Sequence, residues 1–194
     1  MSGCCGCSLD VGVRKRNLWG DIKVELTYRK AVKDDADLLI DIYNSSFYDD
    51  YIFYGECPGY GQTKDHMEQS IEDFTKYIVL KDNIPVGVLS FKDEGDGHYY
   101  LGCLCVIPEY QGMGIGTKTF QYMLSVCPNW KEIHLLTPVD KKQNIKFYTE
   151  KCGFNIGKKS DGRESRGDKF LFESINFGLY QKHKNSSPPT LCRW

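Results

Sequence analysis

The segment Val106-Ile-Pro-Glu-Tyr-Gln-Gly-Met-Gly-Ile-Gly116 decides the fold. It ends a nearly continuous apolar and aromatic run over residues 98–107, which predicts a strand buried on both faces. After it, apolar residues recur at helical spacing from Phe120 until Pro128 stops the helix. Glycines at such a turn let the backbone approach an anion without a Cβ in the way, and the helix start offers free N–H groups and a positive dipole end. The segment therefore predicts a cradle for a pyrophosphate.

The spacing of the glycines excludes two common nucleotide motifs. A dinucleotide fingerprint requires G-x-G-x-x-G, but Thr117 stands at the third glycine position. A P-loop requires Gly-Lys-Ser/Thr, and Thr117 also replaces the glycine before Lys118. What remains is Q-x-x-G-x-G, formed by Gln111, Gly114 and Gly116.

This pattern resembles the acetyl-coenzyme A motif of the GNAT superfamily of N-acetyltransferases, which follows a V-x-P element like Val106-Ile107-Pro108. A second element, Phe147-Tyr148-Thr-Glu-Lys-Cys-Gly153-Phe154, resembles the family's late helix with the catalytic tyrosine. The resemblance covers roughly residues 26–172. It implies an acyltransferase that moves acetyl from acetyl-coenzyme A, as co-substrate, to a primary amine by direct attack.

The order of periodic segments predicts the same fold class. Strand patterns cover residues 23–30, 77–81, 85–92, 98–107, 131–137, 154–157 and 169–177. Helix patterns run from an Asp34 or Asp35 cap to Phe47, over residues 63–74, from the glycine segment to Cys127, and over residues 142–152 with Gly153 as C-cap. Residues 48–62 are predicted as an aromatic, glycine-rich stretch between helices. We expect an α/β (α+β) fold with one mixed, largely antiparallel central sheet flanked by helices.

Length and charge limit the organisation and the partners. The 194 residues fit a single N-acetyltransferase domain over residues 22–180, with a flexible leader at 1–21 and a flexible tail at 181–194. The 25 basic and 26 acidic residues give a net charge of −1, which excludes the basic footprint of a nucleic-acid-binding module. No apolar run approaches the roughly 20 residues that span a bilayer, and no signal peptide is evident, so we expect a cytoplasmic protein without a membrane partner.

The nine cysteines indicate reduced thiols, because an odd count without an export signal does not suit a disulfide framework. Cys4, Cys5 and Cys7 have the ligand type of a zinc or copper(I) site. No second cluster or nearby histidine completes four ligands, so no metal is expected there.

The resemblance implies roles for individual residues. Backbone amides from Gln111 to Thr117 would hold the pyrophosphate, the end of the central strand would pair with the pantetheine arm, and Tyr148 would donate a proton to the departing thiolate. The alternative for Tyr148 is a core aromatic beside Ile145 and Cys152. The residues assigned to the cofactor are Leu104, Cys105, Val106, Gln111, Gly112, Met113, Gly114, Ile115, Gly116, Thr117 and Asn144.

Two positions depart from the family pattern. Many relatives have Asn seven residues before the tyrosine, where this chain has Lys141, which we interpret as a solvated lysine; Asn144 is the alternative cofactor contact. The central strand has no carboxylate to act as a general base. The candidates are His98 through water, Glu109, or backbone carbonyls with water.

Cys103 and Cys105 lie on that same strand and raise the option of a covalent acetyl-cysteine. Buried cysteine usually behaves as a small hydrophobe, and no paired histidine lies in the local sequence, so direct transfer is favoured.

The acceptor is expected to meet the aromatic segment at residues 47–61, because aromatic rings and carboxylates suit a cationic amine. The candidate substrate-binding residues are Tyr48, Asp49, Asp50, Tyr54 and Glu56. A lid that packs its own aromatics explains the segment equally well. A small cationic amine is favoured over a protein N-terminus or a lysine side chain. A non-catalytic acyl-coenzyme A sensor or regulatory module is the alternative from another class, and a homodimer is left open.

Overall fold

The computed structural model describes residues 25–161 and 171–176. Its strands are β1 (Leu26–Lys30), β2 (Thr75–Lys81), β3 (Ile84–Gly95), β4 (His98–Val106), β5 (Glu132–Pro138), β6 (Asn155–Asp161) and β7 (Leu171–Asn176). Its α-helices are α1 (Ala36–Tyr54), α2 (Lys64–Asp73), α3 (Ile115–Val126) and α4 (Lys142–Lys146). The predicted leader with Cys4, Cys5 and Cys7, and the predicted tail, lie outside the described residues. No helix in the described part of the chain is long and apolar enough to cross a membrane.

The seven strands form one sheet in the order β1-β2-β3-β4-β5-β7-β6. Every neighbouring pair is antiparallel except β4 and β5, which are parallel. The predicted mixed, largely antiparallel sheet is therefore confirmed. The parallel pairing joins only His98–Tyr100 to Glu132–His134, and beyond it the two strands no longer pair. We call the space between residues 101–106 of β4 and residues 135–138 of β5 the β4–β5 gap.

A β-bulge at Gly102 exchanges the two faces of β4. Leu101 pairs with Phe91 and Cys103 pairs with the preceding Ser90, so Gly102 is an extra residue in the ladder. Leu101 consequently packs on the α3 side of the sheet, whereas Cys103 packs on the α1 side. A Cβ at position 102 would lie 3.0 Å from the ring of Phe74, which favours glycine at the bulge.

Helices cover both faces of the sheet. On one face α1 and α2 bury Leu39, Ile42 and Met67 against β2, β3 and β4. On the other face α3 buries Phe120 and Met123 against β4 and β5. The two apolar layers hold β4 between them, as the nearly continuous apolar run predicts.

The first helix begins where predicted, with Asp35 at the N-cap position, but it does not end at Phe47. Helix α1 continues past Phe47 to Tyr54, because no glycine or proline interrupts residues 48–54, and it stops where Gly55 adopts φ +77°. At the other end the Asp35 side chain does not cap the helix. Its carboxylate accepts the Val32 N–H at 2.9 Å and two bonds from the Arg29 guanidinium at 2.7 and 2.8 Å, which lowers the pKa of Asp35.

The last predicted helix is also divided. Helix α4 ends at Lys146, and a π-helical turn follows over Phe147–Lys151, in which the Cys152 N–H donates to the Phe147 carbonyl at 3.2 Å. The wider turn allows the Phe154 N–H to donate to the Tyr148 carbonyl at 3.0 Å. Single π-helical turns occur often at functional sites, and this one contains Tyr148.

Gly87 of β3 permits the close approach of β4. A Cβ there would lie 2.3 Å from the carbonyl oxygen of Cys105, which belongs to a paired strand and has little freedom to move. We expect Gly87→Ala to lower the free energy of unfolding by about 1 to 3 kcal/mol, measured by urea denaturation. Ile84→Ala in the same strand is the control, since Ile84 is 49% exposed. Equal stability of the two variants would contradict the close contact.

Candidate functional site

The glycine segment forms an open loop at the start of α3. Gly112 and Gly114 both have φ +76°, a conformation that strains other residues, and a Cβ at either position would meet nothing within 4 Å. Gly114 is the N-cap residue, and no side chain caps α3. The backbone N–H groups of the first helical turn thus lie next to open space. The positive end of the helix dipole is at the same place. This geometry fits a phosphate group.

Two contacts join this loop to the rest of the site. The Gln111 Nε2 donates to the Val106 carbonyl at 2.8 Å, which fixes the loop to the end of β4. A Cβ at Gly116 would lie 3.1 Å from Phe147 and 3.6 Å from Leu104. Gly116 therefore lets α3 pack closely on the π-helical turn. From the sequence, only the backbone amides of these residues were expected to bind the cofactor. The hydrogen bond from the Gln111 side chain was not predicted.

Tyr148 lies beside the β4–β5 gap. Its side chain is 9% exposed and packs on the rings of Phe147 and Phe154, with centroid distances of 5.1 and 5.5 Å. Burial raises the pKa of Tyr148, and the nearby Cys103 and Cys152 thiols raise the pKa further. Cys103 belongs to the opposite face of the sheet, so this electrostatic interaction crosses the region where β4 and β5 have parted. Tyr148 is thus a core aromatic whose environment includes the gap.

The loop between β5 and α4 is attached to the end of α1. Lys141 forms an ion pair with Asp50, so the interpretation of Lys141 as a solvated lysine was wrong; its burial lowers the pKa of Lys141. The Tyr54 hydroxyl donates to Asp140 at 2.7 Å, and burial together with this bond raises the pKa of Tyr54 to about 12. Residues 50 and 54 were predicted in an irregular segment, yet they lie one turn apart on a helix.

Asn144 is exposed on α4, and its Nδ2 lies 3.5 Å from the Thr137 hydroxyl at the end of β5. The contact holds the start of α4 against the strand that borders the gap. Thr137 is 2% exposed, and no sequence pattern marked it as a partner.

The remaining candidate acceptor residues lie around Tyr60. The ring of Tyr60 stacks on Tyr51 at 4.4 Å and lies 6.0 Å from Tyr48. Within the described residues, ion pairs engage Asp50 but neither Asp49 nor Glu56. The segment therefore packs its own aromatics, as the lid alternative expects, and Asp49, although in no ion pair of the described residues, acts against the burial that lowers the pKa of Lys141.

The two side-chain candidates for a general base lie at opposite ends of β4. His98 begins β4, five residues or about 16 Å along the strand from Cys103, and its Nε2 lies 3.8 Å from Glu132. Glu109 is exposed in the turn at Pro108–Tyr110. Among the described residues, no group of three or more His, Cys, Asp and Glu side chains has the arrangement of a metal site.

A family model described as "Acetyltransferase (GNAT) family" matches residues 37–154. The chain belongs to the GNAT family. This finding confirms the resemblance drawn from the two motifs and assigns the chain to a family of acyltransferases.

Solved GNAT structures share the fold. An acetyltransferase from Thermus thermophilus superimposes with a TM-score of 0.65 at 16% identity, covering 80% of this chain and 98% of that one. Spermidine N-acetyltransferase from Vibrio cholerae, in complex with CoA and spermine, gives 0.60 at 16% identity over 78% and 94% of the chains. PaiA N-acetyltransferase from Thermoplasma acidophilum, in complex with coenzyme A, gives 0.61 at 18% identity over 77% and 98%. At these identities the likeness shows the fold.

A curated relative matches over a shorter length. The uncharacterized protein YrkN of Bacillus subtilis (strain 168) is 33% identical over 81 residues, which are 41% of this chain and 44% of that protein. The match spans less than half of the length of this relative.

Proposed function

We propose that this GNAT protein transfers acetyl from acetyl-coenzyme A to a primary amine by direct attack. The observation that carries the proposal is the position of the β4–β5 gap, which lies between an open, uncapped helix start and a buried tyrosine. Acetyl-coenzyme A supplies an activated acyl group and a thiolate leaving group. The residues of this chain would hold that molecule and orient the thioester. They would also transfer two protons, one away from the acceptor amine and one to the leaving thiolate.

The glycine loop would bind the pyrophosphate through the N–H groups of residues 111–117, aided by the helix dipole. The main chain of residues 104–106 lies along the gap, where β5 no longer pairs with it. It would pair with the two amides of the pantetheine arm as an added strand. The contact between Asn144 and Thr137 supports this arrangement by holding α4 beside the gap.

Tyr148 would donate a proton to the departing thiolate. A buried phenol with a raised pKa stays protonated at neutral pH, as a proton donor must. A thiolate that forms in the same gap, shielded from water, would also bind a proton more strongly than in solution. Proton transfer from Tyr148 to the thiolate therefore does not require a low phenol pKa.

A small cationic amine is the acceptor that we propose. The support is two carboxylates of the aromatic segment, Asp49 and Glu56, which form no ion pair within the described residues, although Asp49 acts against the burial that lowers the pKa of the nearby Lys141. The structural likeness to a spermidine N-acetyltransferase adds to it. We also propose a cytoplasmic location, because the five cysteines in the described residues are free thiols, as is typical of reducing compartments.

The test is acetyl-coenzyme A turnover, measured as free thiol release, with spermidine, an aminoglycoside, a peptide with a free N-terminus and an N-terminally blocked lysine peptide. We expect the highest kcat/KM with spermidine. Asp49→Asn should raise the spermidine KM about fivefold, the effect of one exposed charge contact. Asp41→Asn is the matched control, since Asp41 is also exposed on α1.

The outcomes separate the alternatives. Turnover with the peptides alone would replace the small amine with a protein acceptor. Acetyl-coenzyme A binding by calorimetry without thiol release for any amine would favour a non-catalytic sensor. Absence of acetyl-coenzyme A binding would overturn the proposal as a whole.

A further inference from the structure

Three polar side chains stand side by side across the α1 face of the sheet. Lys76 of β2 pairs in register with Ser90 of β3, and Ser90 pairs with Cys103 of β4. The bulge at Gly102 is what directs Cys103 to this face. We call Lys76, Ser90 and Cys103 the polar row. It crosses three strands and ends at the strand that borders the β4–β5 gap.

The polar row is buried and connected. Lys76 is 4% exposed and Ser90 is 2% exposed, and the Lys76 Nζ lies 2.9 Å from the Ser90 Oγ. Tyr43 of α1 covers the row. Its hydroxyl lies 3.5 Å from the Lys76 Nζ and is a hydrogen-bonding neighbour of the Cys103 thiol. A lysine so deeply buried is uncommon, and Lys76 has no carboxylate among the partners described here.

The two ends of the row open in different directions. Cys103 is partly exposed on the strand that borders the gap, and its thiol contributes to the raised pKa of Tyr148. Lys76 lines a surface cavity of about 230 Å³ on the other side. The charged groups that face this cavity are Lys30, Glu72, Asp73, Lys92 and Asp93, all exposed. The row therefore runs from the strand that borders the gap to a residue that lines a surface cavity.

We propose that the polar row, together with Tyr43, accepts the proton that the acceptor amine loses before it attacks the thioester, and passes it to solvent at the Lys76 cavity. The inference rests on the proposed function and extends it. It supplies a proton acceptor for a strand that has no carboxylate.

Cys103 and Tyr43 each give up one proton as they receive one, Lys76 holds the proton at the end of the relay, and Ser90 holds the Lys76 Nζ in place. The ammonium group of the acceptor donates to the Cys103 sulfur, the Cys103 thiol proton moves to the Tyr43 oxygen, and the Tyr43 hydroxyl proton moves to the Lys76 nitrogen. One positive charge is thereby transferred from the acceptor to Lys76, which later releases a proton into the cavity. Cys103 would be the catalytic residue, and Tyr43, Ser90 and Lys76 would be positioning residues.

The environments of the groups suit these directions. The relay requires Lys76 to begin as a neutral amine, and burial lowers the pKa of Lys76 in that direction, against a smaller opposing effect of Cys103 and Cys105. The Cys105 thiol and burial raise the pKa of Cys103, and burial raises the pKa of Tyr43, so both begin protonated. The charged form of Lys76 would then be held over the rings of Phe74 and Tyr43, at 5.4 and 5.6 Å.

The experiment compares two acceptors that differ in protonation. Spermidine carries protonated primary amines at pH 7, whereas methoxyamine is a neutral nucleophile at that pH. In the full-length protein, Lys76→Met and Tyr43→Phe should each lower kcat/KM for spermidine about tenfold at pH 7. They should change kcat/KM for methoxyamine less than twofold, and the spermidine defect should shrink as pH rises. Tyr99→Phe is the control, a tyrosine 4% exposed whose hydroxyl donates to the Pro128 carbonyl.

The inference and the proposed function fail in different ways. Equal losses for both acceptors, at all pH values, would show a structural role and overturn the relay, as would full spermidine activity in both variants. If Lys76→Met does not fold, Tyr43→Phe decides, since it keeps the packed ring. Wild-type protein that acetylates neither acceptor nor any amine of the panel would overturn the proposed function and the relay together.

Discussion

Replacing Gly114 with alanine is expected to weaken acetyl-coenzyme A binding about 30-fold, or about 2 kcal/mol, as measured by calorimetry. Gly114 has φ +76° at the N-cap of α3, and alanine in that conformation is strained. The new Cβ would also occupy the open space over the first helical turn. The loop would then have to shift the N–H groups that we propose to bind phosphate, and each such charge-assisted bond contributes about 1.5 to 3 kcal/mol.

A matched glycine separates binding from strain. Gly95, in the turn between β3 and β4, has φ +89°, and a Cβ there would also meet nothing within 4 Å. Gly95→Ala should lower the free energy of unfolding about as much as Gly114→Ala, but leave the dissociation constant for acetyl-coenzyme A unchanged. If both variants bind equally well, the glycine loop is not the phosphate site.

The fold was predictable where local patterns carry it. The glycines between a buried strand and an amphipathic helix predicted the turn at residues 106–116, and the periodicity of the other segments predicted the order of strands and helices. These signals are local, because burial on one face imposes a period of 2 or 3.6 residues on any sequence.

The β4–β5 gap could not be predicted in the same way. It depends on where two strands, distant in sequence, stop pairing, and nothing in residues 98–107 marks that point at Tyr100. The β-bulge at Gly102 could not be predicted from the sequence either. Simple alternation places Leu101 and Cys103 on one face, and only the pairing with β3 shows that Gly102 is extra. The proposed role of Cys103 depends on this exchange of faces.

Side-chain partners were the other class of missed features. Lys76 looked like an ordinary strand lysine, although alternation with the apolar Ile78 could have placed it on the buried face. The ion pair between Lys141 and Asp50 joins residues 91 positions apart. Long-range pairs of this kind depend on tertiary contacts, which no local period encodes.

Tyr148, the proposed acid, and Cys103, the proposed proton acceptor, would lie on opposite sides of a thioester bound in the gap. Tyr148 packs on the α3 side and Cys103 on the α1 side, and the Cys103 thiol contributes to the raised pKa of Tyr148. A thioester in the gap would lie between a donor for the leaving thiolate and an acceptor for the ammonium proton. Two protons can then move in the same turnover without sharing one group.

The same arrangement makes Tyr148→Phe the variant with the largest expected effect on turnover. The phenylalanine ring preserves the packing against Phe147 and Phe154 but removes the proton donor. We expect kcat to fall about 100-fold, the lower part of the range for a general acid, with the acetyl-coenzyme A dissociation constant unchanged. Because burial raises the pKa of Tyr148 above its usual value near 10, the wild-type phenol stays protonated, and kcat should not decline through its ionisation between pH 7 and 9.

Tyr99→Phe is again the appropriate control, because it removes a buried hydroxyl at the far end of β4 and should leave kcat within twofold of wild type. The free energy of unfolding should change by about 1 kcal/mol in either variant, so a stability difference cannot account for the loss. Equal turnover by wild type and Tyr148→Phe would reduce Tyr148 to a core aromatic. The leaving thiolate would then have to take its proton from solvent, and the gap would have to admit water during the reaction.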